Sequence, residues 1–225
     1  ILNDFVRIGA ESRTSTVVID PTSGTHTEIN EWGPNVTPAE LDILLEKLRY
    51  LAQGADAVVF AGSLPRGVAE SFYADASREL ARRGVRVVLD TDGEPLRLAV
   101  EAEPWLVSPN QLEAEQLVGQ ELASDDDFLM ALDTIAELGA RNVHITTEAG
   151  SFALIRGDDR QIRRYRADAP RLEPVSMVGA GDALLAQFLA SHLAGSTPDE
   201  ALRAAVAAGA ASVLAVGAGR FDPAE

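Results

Sequence analysis

The sequence predicts an α/β protein built on a mostly parallel sheet with helical crossovers, and three observations carry that prediction. Short runs rich in Val, Ile and Leu alternate along the chain with amphipathic stretches of helical spacing. The apolar runs stop at Gly, Asp or Pro, whereas the helical stretches open on capping residues and several close on Gly. At 225 residues there is room for one sizeable core, and no repeat, low-complexity tract or linker divides it.

The chain opens at Ile1, without an initiator Met, inside what reads as a continuing element over residues 1–8. A preceding N-terminal portion is therefore expected. Residues 16–20 read as a strand, a turn follows at 21–24, and 25–29 read as a second strand. This pair is expected to form a hairpin apart from the main sheet. From Thr37 the pattern becomes strand and helix in alternation. Thr37-Pro38-Ala39-Glu40 offers an N-cap, Pro at the first helical position and an acid in the first turn, and Leu41, Leu44, Leu45 and Leu48 follow at helical spacing. Residues 57–60 form a buried strand that ends at Gly62-Ser63-Leu64-Pro65. A helix over 69–83 closes at Gly84, and a strand over 85–89 ends at Asp90.

Leu106-Val107 is a brief strand before Pro109-Asn110, with a helix running on to about Val118. Residues 128–138 are helical with Gly139 as C-cap, 143–147 form a strand, and 152–166 hold a hairpin turning at Gly157-Asp158. Helices over 182–193 and 198–216 close the chain. The small-apolar stretch at 204–216 is too short to span a bilayer, which takes roughly 20 apolar residues, and reads as a packed helix.

Nineteen basic against thirty-five acidic residues give a net charge of −16, a field that repels nucleic acid and anionic lipid. Any phosphate bound here needs backbone N–H groups and a few placed cations. With no cysteine there are no disulfides, thiolate metal sites or thiol nucleophiles, and a cytoplasmic location is expected. His26, His144 and His192 lack metal-ligand spacing and are assigned structural roles; no Gly-x-Ser-x-Gly elbow is present.

The loops at the expected strand C-termini, where open α/β sheets place ligands, carry the candidate chemistry. At Gly179-Ala180-Gly181-Asp182 two glycines bracket Ala180 directly before a strongly helical run. That arrangement can aim N–H groups and a helix N-terminus at an anion, with the Asp accepting a proton from an adjacent hydroxyl. An ordinary helix start with Asp182 as N-cap explains the same residues, and a dinucleotide fingerprint fits them poorly because its sixth position is Leu184. Asn110-Gln111-Leu112-Glu113 can orient hydrated Mg²⁺ and nucleotide phosphates, or simply form a capping box. Arg13 can clamp a phosphate or be a solvated charge, and Asp90 can start a turn with Gly93.

Taken in order, these loops resemble the phosphofructokinase B family of ribokinase-like carbohydrate kinases over nearly the whole chain. Gly62-Ser63-Leu64-Pro65-Arg66-Gly67 resembles the family's Gly-Ser-Leu-Pro-Pro-Gly, residues 90–96 its Asp-x-Ser-Gly-x-x-Leu, residues 109–113 its Pro-Asn-x-x-Glu, and residues 178–182 its Val-Gly-Ala-Gly-Asp. Any one of these motifs is common; all of them in this order are specific. The resemblance implies a three-layer α/β/α ribokinase-like fold with a small β lid, residues 1–36 holding lid strands and 37–225 the main domain.

It also implies Asp182 as catalytic base, an anion hole from the N–H groups of Gly179, Ala180 and Gly181, and Asn110 with Glu113 serving Mg²⁺ and ATP, Glu113 as the metal-side carboxylate. Thr147, Ala149, Gly150 and Phe152 fall in the family's nucleotide loop, Gly209 lies in the stretch expected to line the adenine pocket (205–217), and Gly62 and Arg13 fall on the sugar-phosphate side. The segment 5–14 and the stretch 27–34 are similar to the branch that acts on phosphorylated ketohexoses, the 1-phosphofructokinase and tagatose-6-phosphate kinase branch. The implied reaction is ATP-dependent phosphorylation of fructose 1-phosphate. A kinase for another sugar, sugar phosphate or nucleoside, and a degenerate sugar-phosphate-binding regulator, are the alternatives. Dimerisation through the lid is compatible with the resemblance. The chain departs from the pattern at Ser108, where the branch has Lys, at Ser15, at Met177, and in the glycine-poor Thr147-Glu148-Ala149-Gly150-Ser151-Phe152.

Overall fold

A computed structural model describes residues 3–20, 22, 25–157, 159–215, 217 and 219. Two sheets are present. The antiparallel pair β1 (Ser15–Asp20) and β2 (Thr25–Asn30) stands alone as a two-stranded sheet, as the sequence predicts. The main sheet has the order β3 (Ala57–Ala61), β4 (Arg86–Asp90), β5 (Leu106–Val107), β6 (Val143–Thr147), β7 (Gly150–Arg156), β8 (Ile162–Asp168). Strands β3 to β6 run parallel, and β7 and β8 add an antiparallel meander.

Period-2 alternation within the strands sorts side chains onto two faces. Phe60, Val87, Leu89, Val107, Val143, Ile145, Phe152 and Leu154 point into a core closed by α2 (Phe72–Arg82), α3 (Gly93–Val100), α4 (Gln111–Val118) and α5 (Asp125–Leu138). Their strand neighbours Val88, Leu106, Ala153 and Ile155 point the other way, against α6 (Ala180–Leu193) and α7 (Pro198–Ser212). Helices on both faces of the sheet make three layers. Phe188 of α6 is fully buried and meets His144 of β6 at 5.3 Å between ring centroids.

The predicted caps form. Thr37 opens α1 (Pro38–Leu51) with a full capping box, and Glu40, whose carboxylate accepts the Thr37 N–H, also accepts the Gly9 N–H at 2.6 Å. Ser124 starts α5 earlier than expected, because Asp125, Asp126 and Asp127 suit a first turn near the positive helix end. Helix α3 went unpredicted: its eight residues hold Gly93 and Pro95, which mask the pattern, although Pro near the N-terminus is compatible with helix. The expected element at the chain start does not form over residues 3–8, which have no regular structure. Ile1, the turn residues Pro21, Ser23 and Gly24, Asp158 of the predicted hairpin turn, and Val216 lie outside the described residues. Helix α7 ends at Ser212, short of the predicted 216. Among the described residues no helix is long and apolar enough to cross a membrane.

Candidate active site

The C-terminal ends of β3 to β6 converge on one edge of the sheet, and the predicted loops line it. After β3, Gly62 takes φ +86°, a backbone conformation that only Gly adopts without strain. Its N–H donates to the Asp90 carbonyl at 2.8 Å. Its own carbonyl accepts both the Tyr73 hydroxyl and the Thr91 hydroxyl, each at 2.9 Å. Both lone pairs of that carbonyl are therefore used, and the loop is fixed to the end of β4.

Asp90 ends β4 and is half-buried, and among the described residues no cation is paired with it. Burial, then the nearby carboxylates of Asp182 and Glu113, push its carboxyl up to about 6. After β5, Ser108 is buried with its N–H on the Leu89 carbonyl. Asn110 and Glu113 do form the capping box: Asn110 Oδ1 accepts the Glu113 N–H at 2.9 Å, and Glu113 Oε2 accepts the Asn110 N–H at 2.9 Å. One oxygen of Glu113 and the Asn110 Nδ2 take no part in that box, so capping and ligand binding are compatible. Burial raises the Glu113 carboxyl, opposed by the Asn110 N–H and assisted by the charge of Asp92.

At the turn before α6 the sequence allowed Asp182 as the N-cap of the helix. Its N-cap is Gly179, at φ +82°, not Asp182, which lies in the first helical turn with its side chain exposed. The first backbone bond of the helix start runs from the Ala183 N–H to Gly179. The Ala180 N–H is already committed to the Met177 carbonyl at 3.2 Å, whereas the N–H groups of Gly179, Gly181 and Asp182 have no acceptor among the described residues. A Cβ at Gly181 would meet nothing within 4 Å, so space is open there. Open donors at a helix N-terminus, with a carboxylate beside them, suit an anion next to a hydroxyl.

The charges of Asp182 and Glu113 thus reach Asp90, and that of Asp92 reaches Glu113. The acids at 90 and 92 were missed as site residues by local reading, because an Asp after a strand is equally a turn former. Their place at the C-terminal edge was the available signal. Among the described residues no group of three or more acids or histidines is close enough to hold a metal unaided. A cation here would draw ligands from water and phosphate as well. The hard oxygen donors, lacking a basic partner, fit Mg²⁺, which keeps several waters and takes few protein ligands.

Other predicted residues have different surroundings. Thr147 and Ala149 shape the tight β6–β7 turn: the Thr147 hydroxyl accepts the Ala149 N–H at 3.1 Å and donates to the Gly150 carbonyl at 3.3 Å. Gly150 is buried at φ +141°, where a Cβ would lie 2.1 Å from the Ala167 carbonyl oxygen. Phe152 faces the core, stacked on Phe128 at 4.6 Å, so its ring is not offered to a ligand. Gly209 lets α7 approach α6: a Cβ there would sit 3.2 Å from Leu184 and 3.3 Å from the Ala180 carbonyl. Its side of the fold supports the Gly179 turn from behind. Ala207 and Ala210 of α7 and Leu214 beyond its end line a surface hollow with Pro170 and Leu172. Arg13 is exposed at the base of the β1–β2 hairpin.

Known proteins resemble this chain over most of its length. Residues 1–225 match the family described as pfkB family carbohydrate kinase. The 1-phosphofructokinase of Borreliella burgdorferi is 31% identical over 214 residues, which cover 95% of this chain and 67% of that protein. The 1-phosphofructokinase of Rhodobacter capsulatus is 34% identical over 202 residues, 89% of this chain and 63% of the relative. A crystal structure of phosphofructokinase-2 from Escherichia coli in complex with substrates and products superposes with a TM-score of 0.78 at 26% identity, covering 89% of this chain and 64% of that one. The chain spans about two thirds of the length of the relatives it matches.

Proposed function

Because the chain belongs to the pfkB family of carbohydrate kinases, we propose that it phosphorylates fructose 1-phosphate from ATP, giving fructose 1,6-bisphosphate. The observation that carries the reading is the turn before α6: N–H donors without an acceptor among the described residues and Asp182 at one helix start, near enough for its charge to act on Asp90. Phosphoryl transfer needs little covalent help from a protein. It needs positioning and fixed dipoles where charge accumulates on the transferred group.

In this reading the Gly181 and Asp182 N–H groups, with the positive end of α6, hold the transferred phosphoryl oxygens. Asp182 accepts the proton of the attacking hydroxyl. Glu113 and Asp90 would hold Mg²⁺, largely through water, with Asn110 Nδ2 toward the nucleotide phosphates; bound there, the ion would neutralise charge on the phosphate oxygens. The hollow beside α7 is where the adenine side of ATP fits. Arg13, at the lid base, holds the phosphate already on the sugar, and the lid hairpin lowers over the acceptor to exclude water. Val18 and Ile29 are 52% and 55% exposed on the lid, and their register puts them on one face, which supports dimerisation through it. A cytoplasmic setting fits a reaction that consumes ATP.

Replacing Asp182 by Asn keeps the shape and removes the base. Turnover should fall about 10²–10⁴-fold with little change in ATP binding measured by calorimetry. Near-normal turnover would remove Asp182 from the mechanism. A panel of phosphorylated and unphosphorylated sugars tests the acceptor, and activity confined to unphosphorylated sugars or nucleosides would refute it.

A further inference from the structure

The lid base and the Gly62–Gly67 loop meet at one tryptophan. The β1–β2 register pairs Ser15 with Asn30, and the ladder continues outward through the Glu31 N–H to the Thr14 carbonyl at 3.1 Å. Arg13 and Trp32 are the next residues out on the two sides of the ladder. From the other side the guanidinium of Arg66 lies over the Trp32 ring, 4.9 Å from its centroid. The contact is reinforced by backbone: the Val36 N–H donates to the Arg66 carbonyl at 2.9 Å, and Asn35 bridges Arg66 in parallel register. Gly67 follows at φ +84°, where a Cβ would press the Val36 carbonyl at 3.0 Å.

Three properties of this junction point to an anion. Trp32 is 80% exposed, so it is no core residue; its face serves Arg66. Stacking occupies the flat face of a guanidinium and leaves its in-plane N–H donors directed outward. No carboxylate or other acceptor takes those donors, and Arg13 is likewise without an ion pair among the described residues. Glu31 is adjacent, but its carboxylate accepts the Thr14 N–H and pairs with neither arginine. In a chain of net charge −16, two unpaired arginines, one on the strand end beside Thr14 and one stacked on Trp32 just past its partner strand, supply the local cations a dianion requires. The loop that carries Arg66 starts at Gly62, which is clamped to the end of β4 at Asp90, so its start is anchored at the candidate reaction edge.

We propose that Arg66, held on Trp32, is a second phosphate-binding residue that acts with Arg13 on the phosphoryl group already present on the acceptor sugar, and so helps to select phosphorylated over unphosphorylated acceptors. Trp32 is its positioning residue. This rests on the sugar-phosphate kinase reading above and adds a specificity determinant to it.

The test compares wild type with Arg66→Ala, Arg66→Lys and Trp32→Ala in steady-state assays with fructose 1-phosphate and with unphosphorylated fructose. Loss of one charge-assisted contact should raise KM for fructose 1-phosphate about ten- to a hundred-fold in Arg66→Ala, with kcat, KM for MgATP and any constant for fructose within about twofold. Arg66→Lys should recover part of the loss, and Trp32→Ala should shift KM the same way by less. Melting temperatures check that the exposed substitutions leave the fold intact. An unchanged KM for fructose 1-phosphate, or an equal rise for fructose or MgATP, would overturn the proposal while the kinase reading stands. A wild type that phosphorylates no sugar phosphate would instead remove the kinase reading and this proposal with it.

Discussion

Asp90→Asn should make the protein more stable and less active, and the size of the first effect follows from the site. Burial and the charges of Asp182 and Glu113 move the Asp90 carboxyl from its ordinary 3.8 to about 6. The sign follows from which state binds the proton. A carboxyl raised in the folded state is favourable to folding when protonated, and that contribution is fully present below 3.8. It is lost as pH rises through about 6, where the folded state must carry a confined charge that the unfolded chain leaves in water. Above that range the ionised group costs about 3 kcal/mol relative to an unperturbed Asp. Asn carries no charge, so the substitution should add about 3 kcal/mol near pH 7.5 and roughly half of that at pH 5. For a chain of this size the larger gain is worth roughly 6–12 °C in melting temperature. Urea unfolding followed by tryptophan fluorescence, at both pH values and without divalent cations, measures it. Millimolar Mg²⁺ should narrow the difference by stabilising wild type. Equal stabilities at pH 7.5, or a gain of the same size at pH 5, would refute the account of Asp90 as a repelled, desolvated carboxylate.

Two further outcomes concern the scaffold. His144 is fully buried with neither ring nitrogen hydrogen-bonded, and burial pushes it down to about 4. Its neutral form is what the fold accepts, so stability is complete above about 6.5 and falls by about 3 kcal/mol as pH drops toward 4. His144→Leu should flatten that acid limb and cost little at pH 7.5; a limb of unchanged slope in urea titrations would show that other groups carry it. Gly150→Ala must displace the Ala167 carbonyl from 2.1 Å, and should lower stability by about 3–5 kcal/mol. A melting temperature near wild type would mean that the β6–β7 turn relaxes freely.

Much of the fold was legible because each element announces itself locally. Thr37 with Glu40, and Asn110 with Glu113, predicted helix starts that the structure forms as capping boxes. The lid pair was separable because its alternation is polar on both sides of a turn, unlike the apolar runs of the main sheet. Helix α3 was hidden by Gly93 and Pro95, whose propensities are those of a loop; packing of Leu96, Ala99 and Val100 into the core overrides them. The site was legible only in part. Asp182 and Glu113 stand out by motif, but the proximity of Asp90 to both is a product of strands and helix starts meeting across a sheet edge. Conversely Phe152 and Gly150 follow a motif in sequence, while their positions in β7 commit one to the core and the other to a close backbone approach.

The acids themselves discriminate a working site from a relic of one. A chain with thirty-five acidic and nineteen basic residues must leave many acids unpaired, so an unpaired carboxylate alone means little. Their location is what matters. On the helical surfaces acids are placed beside arginines, as in Glu79 with Arg49 and Arg83, or Glu94 with Arg97. Those pairs are partly exposed and each contributes modestly. At the sheet edge the opposite choice is made: Asp90 is partly buried and feels the charges of Asp182 and Glu113, Glu113 is partly buried and feels that of Asp92, and among the described residues no arginine or lysine pairs with Asp90, Glu113 or Asp182. Such an arrangement costs stability in the absence of a ligand. On the proposed reading it would become favourable with a divalent cation and a polyphosphate bound together, the cation offsetting the acids and the open N–H groups of the α6 start accommodating the phosphate. A fold that only bound a sugar phosphate would gain nothing from crowding carboxylates beside it, since both are anions. Under the proposed function, the unpaired acids of the sheet edge and the open N–H groups of the α6 start would serve one chemistry, phosphoryl transfer to a hydroxyl beside Asp182.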